Sequence, residues 1–390
     1  MLRSQVLPLS LLISTLLPAI ANAEHVALPD MSVTTTAGER VPYALPQSSL
    51  SSADSGELFK KLPGANINQN GPLTSIVQYR GMYADRVNVL VDGMALSAAG
   101  PNRMDSPLGY LPATLVDNIS VYRGIAPVSS GIETIGGTVK AESKQADYDS
   151  SDEVEVHGSL NSLYASNGDT RSVGAVTSLA NQHHRLQLSG SIDRAHDQEF
   201  DGGDIIPTEA ERDTLGLAYG FRLDNTEIDF DLKHLDTGET GTPALPMDIM
   251  VIRGETFNTG IRHTLNNGGE ITARLNYQDV YHRMDNFSLR PRNMMFRQND
   301  TDVLSKGIEL VYNQGGWALG FDADSAEHNA DISDPTNAMF FVRNFNEVER
   351  DRLSAFAEWT GALSDDWQMQ SGLRLTHVTM DADDVDSSMA

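Results

Sequence analysis

Residues 215–233 read LGLAYGFRLDNTEIDFDLK. Leu215, Leu217, Tyr219, Phe221 and Leu223 alternate with small or polar residues. After Asp224-Asn225 the alternation resumes, with Ile228, Phe230 and Leu232 against Glu227, Asp229, Asp231 and Lys233. Side chains two apart on an extended chain share a face, so each arm has one apolar and one polar side. A short Asp-Asn connection between two such arms predicts an antiparallel hairpin.

The same reading extends outward from about Glu153 to the carboxy-terminal end. Leu186, Leu188 and Ile192 alternate, as do Ile271, Ala273, Leu275, Tyr277 and Tyr281. Ile308, Leu310 and Tyr312 follow, then Trp317, Leu319 and Phe321, then Leu353 to Trp359, then Trp367 to Leu375. Short connections at 181–182, 224–225, 266–269, 313–316 and 363–366 separate long ones at about 196–210, 239–253, 286–298 and 331–346. Short and long in turn is the rhythm of a transmembrane β-barrel, with tight turns at one end and long loops at the other. About 11 strands are expected, each meeting the ~9–11 residues that a tilted membrane strand needs. A soluble sandwich mostly uses strands of about 5–6 residues. Bacterial barrels normally close with an even strand number, and residues 381–390 read as the start of another outer loop. Residues 150–390 are therefore expected to hold the amino-terminal part, about half, of a barrel.

Composition agrees. The chain has 390 residues, 28 Lys+Arg against 54 Asp+Glu, a formal charge of −26 and no cysteine. The acidity argues against nucleic-acid binding, and the missing cysteine removes disulfides and thiolate metal sites. A mean hydropathy of −0.30 excludes a helical membrane bundle. Residues 1–23, with Arg3, the apolar stretch Val6 to Ile20 and Ala21-Asn22-Ala23, read as a secretory signal peptide. It is too short and interrupted for a membrane helix. Mature protein beginning at Glu24 is bound for the periplasm, the outer membrane or the medium.

Residues 46–143 differ in kind. Short apolar runs such as Val87 to Val91 and Ile119 to Tyr122 are separated by Gly and Pro, which predicts a small α+β domain. Four strings stand here in order: LPGANINQNGP (62–72), VQYRGM (77–82), DRVNVLVDGM (85–94) and YRGIAPVSSGIETIGGTV (122–139). Together they resemble the plug of TonB-dependent outer-membrane receptors. The resemblance implies a mainly β protein: a small α+β plug followed by an antiparallel transmembrane β-barrel. It implies a place in the outer membrane of a Gram-negative bacterium, in contact with its lipid, and active uptake of a scarce nutrient. It puts Arg80 and Arg123 at buried or interface positions, paired with wall carboxylates. Ahead of the plug, residues 24–45 read as a flexible segment. Within it Met31, Ser32, Val33, Thr34, Thr35 and Thr36 look like the TonB box, which pairs by strand addition with the TonB energy-coupling complex.

Methionine placement bears on the ligand. Met247, Met250, Met284, Met294, Met295 and Met339 lie in or beside expected outer loops, and Met104 lies in the plug. Thioethers are soft ligands that suit Cu(I). If Ile271, Leu275 and Tyr277 face lipid, His282 and Met284 share the lumen face. GPNRMDSPL (100–108) and HRMDNFSLR (282–290) are similar to the copper-receptor branch of the family. The branch implies metal ligands at Met104, His282 and Met284, and Met247 joins them on position alone. That branch commonly carries Cys four residues before the plug Met, and this chain has Gly100 there. Copper or another metal species is then transported cargo, and no cofactor is expected.

Other readings remain open. FSLRPRNMMFR (287–297) supplies the aromatic and arginine contacts of an Fe(III)-siderophore receptor, whose ligand is a metal chelate. A truncated, non-transporting surface protein is another. No nucleophile–base set is recognisable, so an enzyme is not expected.

Overall fold

The computed structural model describes residues 52–100, 103–122, 126–131, 135–291 and 295–388. The expected signal peptide, the segment 24–45, the box Met31–Thr36 and Met294 lie outside them.

The plug opens with the one-and-a-half-turn helix α1 (Ser55–Phe59), whose Asp54 cap accepts from Gly56 N at 3.0 Å. Strands β1 (Ala65–Gly71), β2 (Thr74–Tyr79) and β3 (Met82–Tyr83) form one antiparallel sheet. Strands β4 (Asn88–Val91), β5 (Val116–Tyr122) and β6 (Thr138–Ser143) form a second sheet in the order β4-β6-β5. Here β4 runs parallel to β6 and β5 antiparallel. Phe59, Leu62, Tyr79, Leu108, Ile119 and Val139 are buried together between them. The short apolar runs in the sequence are these central strands.

Eleven long strands follow: β7 (Glu155–Ala165), β8 (Thr170–Ala180), β9 (His184–Ala195), then β12 to β19. Between them the 196–210 connection carries a small hairpin, β10 (Gln198–Phe200) and β11 (Gly203–Ile205). The remaining strands are β12 (Ala210–Leu223), β13 (Thr226–Thr237), β14 (Asp248–Thr264), β15 (Glu270–Asp285), β16 (Gln298–Gln314), β17 (Trp317–Ser333), β18 (Phe341–Ser364) and β19 (Trp367–Asp381). Each pairs antiparallel with its sequence neighbour, and a short β20 (Asp386–Ser387) adds to β18. The sheet does not close on itself: β7 and β19 are its two edges.

Alternation decides which way each strand faces. Leu188, Leu215, Leu232, Leu275 and Leu310 are exposed on the outer side. Gln187, Asp193, Arg212, Gln278 and Thr301 are buried on the inner side. An apolar exterior over a polar interior is the arrangement that hydrocarbon requires of a barrel.

Three expectations need correction. The connection expected over 331–346 shrinks to 334–340, because Asp331, Ile332 and Ser333 pair with Arg343, Val342 and Phe341. The connection expected over 239–253 is shorter, because β14 already begins at Asp248. There Asp248 and Ile249 pair with Asp285 and Met284, which lengthens the wall at its long-loop end. Arg80 is exposed rather than paired with the wall. It sits at a positive φ of 48° before Gly81, and among the described residues its guanidinium lies against the Tyr79 ring, 5.6 Å from the centroid, on a plug that this open sheet only partly surrounds. Arg123 lies outside the described residues.

The plug is fastened to the inner wall by polar contacts. Asp92, in the Val-Asp-Gly turn, accepts from Ser143 N at 2.8 Å and pairs with Lys233 of β13. Gln278 of β15 grips Ser97 twice, accepting from its N–H at 2.8 Å and donating to its carbonyl at 3.0 Å. Arg374 of β19 donates to the Val128 carbonyl at 3.0 Å.

Candidate metal centre

The lumen face of β15 carries Gln278, Val280, His282 and Met284, all buried. A two-residue repeat puts them in one column. Register places His282 beside Ile252 and Thr301, and Met284 beside Ile249 and Asn299. The plug loop that Gln278 holds at Ser97 runs on to Met104, so Met104 arrives against this column. Met104 and Met284, each 1% exposed, lie in one buried cluster with Ala99, Ile249, Ile252 and Val280. Met247 packs at its edge, half-buried. Asn299 Nδ2 points at the Met284 sulfur from 3.9 Å.

His282 is fully buried, and neither ring nitrogen has a hydrogen-bond partner. Its Nδ1 faces the Asp105 carboxylate at 3.5 Å, too long for a hydrogen bond. Asp105 itself is well satisfied, accepting from Ala99 N at 2.5 Å, Gly100 N at 3.1 Å and the Tyr110 hydroxyl at 2.9 Å. Burial pushes the Asp105 carboxyl up, but the adjacent His282 imidazole and the two backbone N–H groups bring it below the ordinary carboxylate value. Burial, and then the charge of Asp105, hold the Tyr110 hydroxyl well above its usual range, so it stays a donor.

An orphaned buried imidazole costs free energy unless something occupies its lone pair. With two thioethers in the adjoining cluster, the donor set is soft and suits Cu(I) or Ag(I) better than a hard cation. Gly100 borders the same space: a Cβ built there falls 3.1 Å from His282 Nδ1 and 3.3 Å from Asp105 Oδ1. A side chain at position 100 would therefore point at His282.

The expected residues Met104, His282 and Met284 thus lie in one buried neighbourhood, with Met247 at its margin. Met295 and Met339 do not: they are 64% and 81% exposed. Hard donors group elsewhere among the described residues, at Asp149, Glu155 and His157 around the start of β7. Sequence reasoning missed Asp105, Gln278 and Asn299. A signal for Asp105 existed, since Arg-Met-Asp occurs twice, at 103–105 and 283–285. Asp285 caps the turn after it, accepting from Phe287 N at 3.0 Å and Ser288 N at 2.8 Å, whereas Asp105 reaches back to Ala99 N and Gly100 N.

A small plug domain fastened to the inner face of a long antiparallel wall is the architecture of a plugged barrel. The sequence matches the TonB-dependent receptor plug domain over residues 45–138 and the TonB dependent receptor-like beta-barrel over 145–389. The chain belongs to the TonB-dependent receptor family, which are transporters and receptors rather than enzymes. Its fold resembles that of the copper transporter OprC, with TM-score 0.78 and 22% identity, over 89% of this chain and 59% of that one. It also resembles the ferric enterobactin receptor of Pseudomonas aeruginosa, with TM-score 0.63 and 17% identity, over 89% and 58% of the two chains. The vitamin B12 transporter BtuB of Vibrio cholerae is 30% identical over 181 residues, 45% of this chain and 26% of that protein. The chain thus spans well under two thirds of the length of each.

Proposed function

We propose that this chain is part of an outer-membrane receptor for active uptake of copper, bound as Cu(I) between plug and wall. The observation that carries the reading is the buried, partnerless imidazole of His282 beside the cluster that holds Met104 and Met284. Met104 comes from the plug, while His282 and Met284 come from the wall. Movement of the plug would then withdraw one ligand and loosen the metal. Met247 is the outermost donor. The fold likeness to a copper transporter supports the reading. Gly100 in place of a thiolate means a weaker site than one with Cys.

Of the residues in 287–297 on which the siderophore alternative rests, Arg290 and Arg297 are engaged, and Arg292 lies outside the described residues. Arg290 donates to Asp248 at 2.6 and 2.8 Å, and Arg297 pairs with Asp334 at 2.9 Å and stacks over Phe340. Energy would come from the TonB complex through Met31–Thr36. Proline at Val33 would break strand pairing there and abolish uptake while leaving binding intact.

The deciding experiment titrates the purified receptor with Cu(I) against a colorimetric chelator, with Zn(II) and a ferric catecholate chelate as comparisons. Selective Cu(I) retention that is lost in His282→Ala supports the reading. Retention of the ferric chelate with none of copper overturns it.

A further inference from the structure

The first described residues of the plug are bonded, one after another, to the segment that follows Met104. The Ala53 carbonyl accepts from Ala113 N at 3.3 Å. Asp54 accepts from the Ser75 hydroxyl, and the Ser75 carbonyl accepts in turn from Ser106 Oγ at 2.7 Å. The Ser55 hydroxyl donates to the Leu111 carbonyl. Residues 53, 54 and 55 thus each reach into 106–113, across more than fifty positions of sequence.

One wall residue holds both ends. Arg212 of β12 is 1% exposed, and every arm of its guanidinium is in use. Nε donates to Asp193 at 2.9 Å, Nη1 to the Gly109 carbonyl at 3.0 Å and Nη2 to the Ala53 carbonyl at 2.9 Å. Asp193 is itself buried and accepts from the Ser172 hydroxyl, so the arginine is pinned from behind. A planar fork with fixed donors suits such a three-way junction, and an ammonium does not. A small cavity lined by Met104, Asp105, Gly109, Tyr110, Arg212 and Ile249 adjoins it.

We infer that Arg212 is a positioning residue that joins the plug's entry point to the Met104 segment, so that displacement of residue 53 displaces residues 106–113. The functional side of this rests on the reading of the amino-terminal segment as the point where energy coupling acts. The structural side does not. Pulling upstream of residue 53 breaks the Ala53 and Ser55 bonds first. Both are bonds to the ligand-bearing loop, while Asp54 between them is bonded to Ser75 of β2. The loop therefore yields before the β4-β6-β5 sheet does. Strand β5, four residues or fewer beyond the junction, is held instead by its own ladder to β6.

The test is amide hydrogen exchange on the full chain in detergent, comparing wild type with Ser55→Ala, Ser106→Ala and Arg212→Lys. Each variant should speed exchange of amides 106–113 at least tenfold and leave 118–122 within twofold. Unchanged exchange at 106–113 in all three, or an equal rise at 118–122, overturns the inference. If Arg212→Lys does not fold, the two serine variants decide it. A second arm uses Ag(I) with the receptor in cells. Arg212→Lys should keep equilibrium Ag(I) binding within twofold of wild type and lower uptake at least fivefold. Equal loss of both would mean that Arg212 only maintains the site. If wild type binds no Ag(I), the copper reading fails while the exchange result still stands or falls by itself.

Discussion

His282 Nδ1 and Asp105 Oδ1 face each other at 3.5 Å across the boundary between wall and plug, both fully removed from solvent. An imidazole flanked this way presents Nδ1 to the carboxylate and leaves Nε2 free. Outer partners of metal-binding histidines typically change affinity by ~10–100-fold. Asp105→Asn is expected to lower Cu(I) affinity within that range, measured by chelator competition. An unchanged affinity would mean that the carboxylate serves only its loop.

The same carboxylate sets an acid limit. Its folded value lies below the ordinary one, so its contribution is complete above the unfolded value and disappears as pH falls through the lower folded value. Thermal stability of wild type relative to Asp105→Asn should stay constant from neutral pH into the ordinary carboxylate range. It should fall only below that range. A difference that vanishes between pH 6 and 7 would contradict this.

Gly100→Cys tests the geometry from the other direction. The Cβ position is tight against His282 Nδ1 and Asp105 Oδ1, so the substitution needs a shift of a few tenths of an ångström in those side chains. A thiolate there is a softer and stronger donor than either thioether. Cu(I) affinity should rise at least tenfold, and Zn(II), poorly held in wild type, should gain as well. Competition titrations of both metals read this directly.

Met104→Ala and Met295→Ala form a matched pair. Met104 is buried at the centre, and Met295 is exposed at a loop. Removing Met104 should weaken Cu(I) binding at least tenfold and cost about 2–5 kcal/mol of stability through the cavity it leaves. Removing Met295 should change neither beyond error. Equal effects on binding would disperse the site over the loops.

Lys233→Met removes the wall's counter-charge to Asp92. Ser143 still serves the carboxylate, yet its charge would be left unpaired in a mostly buried place. The expected loss is about 3 kcal/mol, seen as release of the plug at lower urea with the wall unaffected. Asp92→Asn in the same background should restore part of it.

Much of this was legible in the sequence, for physical reasons. Strands such as β12 and β13 announce themselves because alternation and an Asp224-Asn225 turn are local properties. The share of Met104 was legible through a resemblance, and that of His282 and Met284 through register on one strand. What stayed hidden depends on contacts between distant elements. Nothing local in Gln278 marks it as the grip on Ser97, and nothing around Arg212 says that it reaches Ala53 and Gly109. Strand β14 ran past its expected start because cross-strand pairing with β15 outweighed the Pro-rich local sequence.

The long loops remain to be considered as a set. Arg290, in the loop after β15, is bound to Asp248 and to the Thr242 carbonyl at the base of the loop before β14. Arg297, at the other end of the same loop, is bound to Asp334 and covers Phe340 in the loop after β17. Three neighbouring loops are therefore linked in series by two guanidinium hinges. Freeing any one of these loops requires breaking an arginine–carboxylate pair that it shares with a neighbour.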